Sequence, residues 1–314
     1  MLASIVIRTL DEERHLQALL EAIESQESEI LETEVVLIDS GSTDRSLEIA
    51  SSYGCRIEHI GRDDFSFGRS LNRGCAAGTG DILVFVSGHC VPLGVDWLER
   101  LTAPIASGEV SYAYGRQIGG PGSRYSESRL FAKQYPEQSR IPQQGFFCNN
   151  ANAALLRSAW EKEPFDEESS GLEDMDLAKR LVDQGQRVGY VAEAPVIHHH
   201  DESWQQVRWR FEREALALQS IMPEIHLSVA DLLRYFLSAV LLDHGAALQE
   251  RRLAPVFFEV LAFRWQQYLG SYRGNHEHRK LSKRRKEHYF FPKNFSKEDR
   301  RHQCNSNHSG GGSR

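Results

Sequence analysis

Three clusters in this 314-residue chain carry side chains of the types that bind polar ligands, move protons or hold metal ions. Asp39-Ser40-Gly41-Ser42-Thr43-Asp44 places two carboxylates and a run of hydroxyls in one short turn. Glu173-Asp174-Met175-Asp176 opens a second segment with acidic groups, and His198-His199-His200 closes a third. Acidic residues are favoured in the first turn of a helix by its dipole, whatever else they do. Adjacent histidines alternate faces along a strand, so the triplet is not itself a zinc motif, although a single ring nitrogen can coordinate a borderline ion.

The elements around these clusters define how they are presented. Ser4 to Ile7 is a buried-strand pattern, Arg8 to Glu13 a polar loop, and His15 to Ile23 an amphipathic helix with Leu16, Leu19, Leu20 and Ile23 on one side. Glu34 to Ile38 is the next strand, and Arg45 to Tyr53 the next helix. The chain therefore opens β-α-β-α, with Asp39 at the carboxyl edge of a sheet, where α/β folds bind ligands. Asp39 is read as a ligand group, and Asp44 equally well as a cap of the following helix. Neither Gly-x-Gly-x-x-Gly nor Gly-x-x-x-x-Gly-Lys-Ser/Thr occurs, so a dinucleotide or P-loop site lacks its signature.

The strand, polar loop, helix, strand and Asp-Ser-Gly-Ser-Thr-Asp turn together resemble the start of an inverting glycosyltransferase of family 2. That resemblance implies an α/β GT-A fold, a Rossmann-like mixed sheet flanked by helices, for the nucleotide-diphospho-sugar half. It assigns Asp39 to the imide hydrogen of uracil or a ribose hydroxyl, with Thr9, Glu12, Ser40 and Gly41 lining the nucleoside pocket. Arg69 and Asn72 fall on the helix preceding the metal strand, with Gly74 at the family's usual glycine; Arg69 is of a type that matches phosphate oxygens. Asn150 and Asn152 are the expected donor-sugar contacts. Gly171-Leu172-Glu173-Asp174-Met175-Asp176 resembles the family's catalytic motif, which makes Asp174 the general base toward the acceptor hydroxyl and Glu173 the residue that orients the acceptor.

The chain departs from the family pattern after the strand Asp81 to Val86. Where Asp-x-Asp is usual, it reads Ser87-Gly88-His89. Carboxylates suit Mn²⁺ or Mg²⁺, whereas His89 brings a ring nitrogen without negative charge. Three outcomes stay open: His89 holds a metal with a second histidine, His89 bonds the diphosphate directly, or the site is degenerate. His198 matches the position where the family often carries a metal or diphosphate histidine, with His200 the second choice. The implied donor is a nucleotide-sugar, a UDP-sugar first, and the implied acceptor a saccharide or lipid-linked sugar in polysaccharide biosynthesis. A non-catalytic nucleotide-sugar-binding or scaffold subunit is the alternative, and a sugar nucleotidyltransferase is more distant because Arg8 to Glu13 contains no glycine.

Composition bounds the rest. A net charge of −7 argues against a general nucleic-acid binder. The five cysteines are scattered without a Cys-x-x-Cys pair, consistent with a reducing compartment. Met1-Leu2-Ala3 runs into the first strand without a leader pattern, and Leu232 to Leu242 is too short to span a bilayer; a cytoplasmic protein, peripheral at the inner face of the plasma membrane, is expected. The expected organisation is a GT-A catalytic domain over 1–204, a helical extension over 205–272, and a basic tail over 273–314. Residues 124–145 read as a loop on the acceptor side. Arg208, Arg210 and Arg213 read as a solvated helix face, and the apolar residues of the extension read as core or as a contact with another copy. Arg279, Lys280, Lys283 to Lys286 and the neighbouring aromatics read equally as a contact with an anionic membrane and as a partly disordered, solvated tail.

Overall fold

The computed structural model describes residues 1–28, 31–277 and 289–290. In chain order the elements are β1 (Leu2–Thr9), α1 (Glu13–Glu24), β2 (Glu32–Asp39), α2 (Ser46–Ser52), β3 (Arg56–His59), α3 (Phe67–Ala77), β4 (Ile82–Ser87), β5 (Cys90–Pro92), α4 (Trp97–Ala106), β6 (Tyr112–Gly119), α5 (Tyr125–Gln134), β7 (Asn152–Leu156), α6 (Arg157–Lys162), α7 (Glu173–Asp183), β8 (Val188–His198), α8 (Trp204–Ile221), α9 (Val229–Gln249) and α10 (Leu253–Asn275).

Eight strands form one mixed sheet in the order β3-β2-β1-β4-β7-β6-β8-β5. The first four run parallel, and β7 enters antiparallel between β4 and β6. The apolar runs in β1 and β4 are continuous because both faces are covered, as parallel sheets require. Ile5, Ile7 and Val84 face one layer with Leu16, Leu19 and Trp97. Val6, Phe85 and Tyr112 face the other with Leu71, Leu177 and Leu181. Gly74 lets α3 lie directly on β1, since a Cβ there would come within 2.3 Å of Val6 Cγ1.

Asn152 ties the two halves of the sheet together. Fully buried on β7, it accepts from Trp97 Nε1 at 3.0 Å and donates to the carbonyls of Arg116 and Ala194 at 3.1 and 2.8 Å. Its amide donors are thus spent inside the core, which corrects its assignment as a sugar contact. Asn152→Ala should destabilise the fold by roughly 3 kcal/mol, because it strands buried polar partners. Chemical denaturation checks this, and a loss well under 1 kcal/mol would refute the bracing role.

Two further expectations change. Residues 125–134 are helix α5 rather than loop. Their apolar period is hidden because Ser126 and Glu127 are themselves buried, bonded to Asp243 and to His200 and Arg210. The C-terminal helices are also less inward-facing than their composition implies: Leu237, Leu241, Leu242 and Leu248 on α9 are exposed. The tail over 273–314 lies outside the described residues except for 273–277, Tyr289 and Phe290. Phe290 packs with Leu10, Phe65, Phe67 and Trp209.

Candidate active site

The carboxyl ends of β1, β2 and β4 open into a cleft of about 1270 Å³ that continues between α5, α8 and the start of α9. Its floor at β1 and β2 is built by two turns that bond to each other. Glu12 N–H donates to Ser46 Oγ (2.8 Å), Glu13 N–H to Asp44 Oδ2 (3.0 Å), Asp11 N–H to Ser42 Oγ (3.0 Å) and Thr43 N–H to Asp11 Oδ1 (2.7 Å). Asp44 also accepts from the N–H of Ser46, the first residue of α2, while Arg45 occupies the N-cap position. Asp39 accepts from Gly41 N–H and Ser42 N–H, both at 3.0 Å. Gly41 sits at φ +101°, the left-handed region that this tight turn requires. Ser40 and Thr9 line the cleft, and Thr9 Oγ1 is buried without a hydrogen-bond partner among the described residues. An orphaned hydroxyl in a nucleoside-sized recess is what a bound ligand would satisfy.

At the end of β4, Ser87 and His89 line the cleft. His89 Nδ1 lies 3.0 Å from Glu12 Oε1, and His198 Nδ1 lies 2.7 Å from Gln117 Oε1. The Gln117 orientation is fixed by its Nε2 donating to Asn149 Oδ1. Gln117 Oε1 thus places the His198 ring proton on Nδ1, and its Nε2 lies 3.1 Å from His89 Nε2. Burial first, and then His200, His89 and Arg210, push the His198 pKa well down, so its ring is neutral. With the His89 proton likewise on Nδ1 toward Glu12, two lone pairs converge in the donor arrangement of a metal-binding histidine pair, the far nitrogens held by a carboxylate and an amide. The residues present fit a borderline divalent cation.

His200 is drawn elsewhere. Its Nδ1 lies 2.6 Å from Glu127 Oε1, and Arg210 bridges Glu127 and Glu202 at 2.6 and 2.8 Å. Burial tends to raise the Glu202 pKa, but Arg210 and His200 hold it at about 2. Glu127, His200 and Glu202 thus bring their ligand atoms within 4.8 Å of one another in a second group, separate from His89 and His198, with Arg210 paired to its carboxylates. Arg210 and Arg213 face the cleft rather than solvent; the α8 periodicity alone cannot show which stripe turns inward.

Asp174 lies at the start of α7, buried just behind Leu172 and Met175, which line the cleft there. Its Oδ2 accepts from Asn150 N–H (2.9 Å) and its Oδ1 from Met175 N–H (2.8 Å). Burial and the adjacent Glu173 carboxylate push its pKa up to about 7, against the opposing pull of these N–H groups and Arg8. Leu172, the residue before α7, is left-handed at φ 54° and turns the helix start toward the cleft. Such backbone costs on the order of 1–2 kcal/mol in a non-glycine residue.

Glu173 accepts from Arg8 Nη1 at 3.1 Å, across 165 residues of sequence. Arg8, on β1, is a site residue that the sequence reading leaves unassigned. Arg8→Met should move the acid limb of the activity profile to higher pH, because the cation that favours ionised Asp174 is gone. An unchanged or acid-shifted limb in a kcat/KM titration would contradict that coupling.

Asn150 keeps a buried Nδ2 without a partner among the described residues, while its Oδ1 accepts from Tyr112 Oη at 2.5 Å. Asn72, by contrast, uses both donors on Phe165 O and Glu167 Oε1 and both acceptor sites on Trp160 Nε1 and Phe165 N–H. Arg69 is held by Glu167 at 2.8 Å and by Asp64 O at 2.7 Å. Both brace the loop before α7, which corrects their assignment to the donor.

The sheet order and the cleft at its carboxyl edge define a GT-A transferase fold. A mannosyltransferase of Pyrobaculum calidifontis, solved with GDP-Man and Mn²⁺, shares it at TM-score 0.58 and 17% identity over 85% of this chain and 84% of that one. Glucosyl-3-phosphoglycerate synthase of Mycobacterium tuberculosis, solved with Mn²⁺, UDP and glucosyl-3-phosphoglycerate, shares it at TM-score 0.51 and 20% identity over 69% and 78%. Residues 4–163 match the model of glycosyl transferase family 2, and the chain belongs to that family. It is 28% identical over 190 residues to the O-antigen chain rhamnosyltransferase WbaN of Salmonella anatum, covering 57% of this chain and 60% of that protein. Over 195 residues it is 27% identical to the O-antigen chain rhamnosyltransferase RfbN of Salmonella typhimurium, covering 58% and 61%. The match thus spans about 60% of these relatives' length.

Proposed function

We propose that this chain is a glycosyltransferase that inverts configuration as it moves a sugar from a nucleotide-sugar to a hydroxyl of a saccharide or lipid-linked acceptor in cell-surface polysaccharide synthesis. The observation that carries this reading is Asp174, a buried carboxylate poised near neutral pH with both oxygens oriented by backbone N–H groups. Each oxygen keeps a lone pair, so one can take the acceptor proton as the acceptor oxygen bonds to the anomeric carbon. The bond from that carbon to the diphosphate oxygen breaks in the same step, and the nucleoside diphosphate leaves. No enzyme nucleophile is required. Glu173, fixed by Arg8, orients the acceptor, and Asn150 Nδ2 offers a donor to the sugar.

Thr9, Glu12 and Ser40 form the nucleoside side of the pocket, with Asp39 behind them holding the turn through Gly41 and Ser42 N–H. His89 and His198 would hold a divalent cation, whose chemistry is to neutralise the departing diphosphate. Residues 1–204 act as the catalytic unit and 205–272 as an extension that completes the acceptor side of the cleft. A cytoplasmic setting at the inner face of the membrane accords with a lipid-linked acceptor.

The names of the curated relatives make an activated rhamnose the donor to test first, beside UDP-, GDP- and CMP-sugars. Release of nucleotide should occur with one donor, with Mn²⁺ or Mg²⁺, and disappear in EDTA. Nucleotide binding without release, with acceptor supplied, would favour the scaffold alternative that the missing Asp-x-Asp leaves open.

A further inference from the structure

We propose that Cys90 is the third protein ligand of the cation site at His89 and His198, and that the site prefers thiophilic ions such as Zn²⁺ or Co²⁺ to Mg²⁺. This ligand set rests on the reading above in which the two histidines hold a divalent cation. Cys90 Sγ and a ring nitrogen each of His89 and His198 lie within 4.8 Å of one another. Among the described residues Cys90 is the only cysteine in such a group. The backbone fixes the juxtaposition. In the antiparallel pairing of β5 with β8, Cys90 stands directly opposite His198, and directly opposed residues share one face of a sheet. His199 N–H donates to His89 O at 3.1 Å, so the segments that carry all three donors are tied together at the β5 edge of the sheet.

Bond lengths of about 2.0 Å to nitrogen and 2.3 Å to sulfur put the ligand atoms of a tetrahedral ion about 3.3–3.6 Å apart. The two Nε2 atoms are already near that spacing at 3.1 Å, and Cys90 has a single side-chain torsion with which to bring its sulfur up. Three protein donors leave a fourth position, the pattern of catalytic zinc sites. His89 and His198 both line the cleft from which a diphosphate oxygen would fill it. Charge points the same way. Ser87 and His89 stand where carboxylates are usual, so two neutral imidazoles alone would give the cation no negative partner from the protein. A thiolate at Cys90 restores one negative charge, and it forms as the Sγ–H proton leaves to solvent and the sulfur bonds the ion. Two imidazoles and a thiolate suit Zn²⁺ and Co²⁺, whereas Mg²⁺ demands oxygen ligands.

The test is titration of the full chain with Co²⁺ in the presence of UDP, read by absorption spectroscopy, with Zn²⁺ and Mg²⁺ affinities measured by calorimetry. The wild type should show a thiolate-to-cobalt charge-transfer band in the near ultraviolet beside visible ligand-field bands. Zn²⁺ should displace the Co²⁺, and Mg²⁺ at the same concentration should not. Cys90→Ala should abolish the charge-transfer band and lower Zn²⁺ affinity by roughly 100-fold, while Mg²⁺ affinity stays within about threefold. Cys75→Ala, at a buried thiol in the opposite layer, should keep the band. UDP binding without metal reports that each variant is folded, and Cys90→Ser repeats the measurement should the alanine variant fail to fold. Visible bands that His198→Ala removes, with no charge-transfer band in the wild type, would overturn Cys90 as a ligand and leave the histidine pair standing. A charge-transfer band that persists in Cys90→Ala would overturn it as well. A wild type that binds UDP but neither Co²⁺ nor Zn²⁺ would overturn both the thiolate ligand and the histidine-pair reading beneath it.

Discussion

Asp174→Asn should lower kcat by roughly 10²–10⁴-fold, the range over which a positioned base contributes, while nucleotide binding stays within about twofold, since the Asp174 carboxylate bonds Asn150 N–H and Met175 N–H and not the Thr9 and Asp39 turns. The amide is nearly isosteric and can still accept a backbone N–H through its oxygen, but it cannot take a proton. The pH dependence gives an independent readout. With the carboxyl pushed up to about 7, the wild-type rate should rise with pH below that value, as the fraction of ionised base grows, and level off above it. Stability should run the other way. A carboxyl raised in the folded state binds its proton more tightly there than in the unfolded chain, so its contribution is fully present below the ordinary carboxylate range and is lost as pH rises toward 7. A profile that is flat through pH 7, or an Asp174→Asn protein with near wild-type turnover, would remove Asp174 from the base role.

The second large effect is expected at the histidine pair. His198→Ala should reduce Mn²⁺ affinity, measured by calorimetry in the presence of UDP, by more than the roughly 10–100-fold expected of Gln117→Leu, which removes only the acceptor that fixes the ring proton. His89→Asp supplies the charged oxygen that the family pattern carries at this position and should strengthen Mg²⁺ binding relative to the parent, because Mg²⁺ prefers oxygen ligands. If His198→Ala binds Mn²⁺ as tightly as the parent, the two Nε2 atoms are not ligands, and the leaving group depends on cationic side chains such as Arg213. Turnover that is insensitive to EDTA would point the same way.

Much of the catalytic half is legible because its signals are local. Asp39, Glu12 and Asp174 stand at the ends of elements whose apolar patterns are strong, and the histidine at 89 is visible through the carboxylate it replaces. What escapes are groups whose meaning depends on distant partners. Arg8 is an unremarked loop-end cation until Glu173 is brought to it, and Gln117 means nothing until β6 and β8 pair in register. Asn72 and Asn152 mislead for the same reason, since an amide that satisfies the core has the same sequence signature as one that holds a sugar. Helix α5 is hidden because Ser126 and Glu127 bury polar groups against Asp243 and Arg210, which erases its apolar period. The α9 leucines look like core because a stripe of apolar residues shows amphipathicity without saying which side meets solvent.

The lacing of the two nucleoside turns sets a limit on how donor choice can be altered. Asp11, Glu13, Ser42, Asp44 and Ser46 supply the side chains that cap each other's backbone across the gap, so residues 9–13 and 39–46 behave as a single interlocked module. Swapping one turn alone for that of a homologue would leave these N–H groups, the buried Glu12 N–H among them, without their side-chain acceptors. Recombination that preserves a working site must transfer both stretches together, although α1 and β2 separate them in the chain.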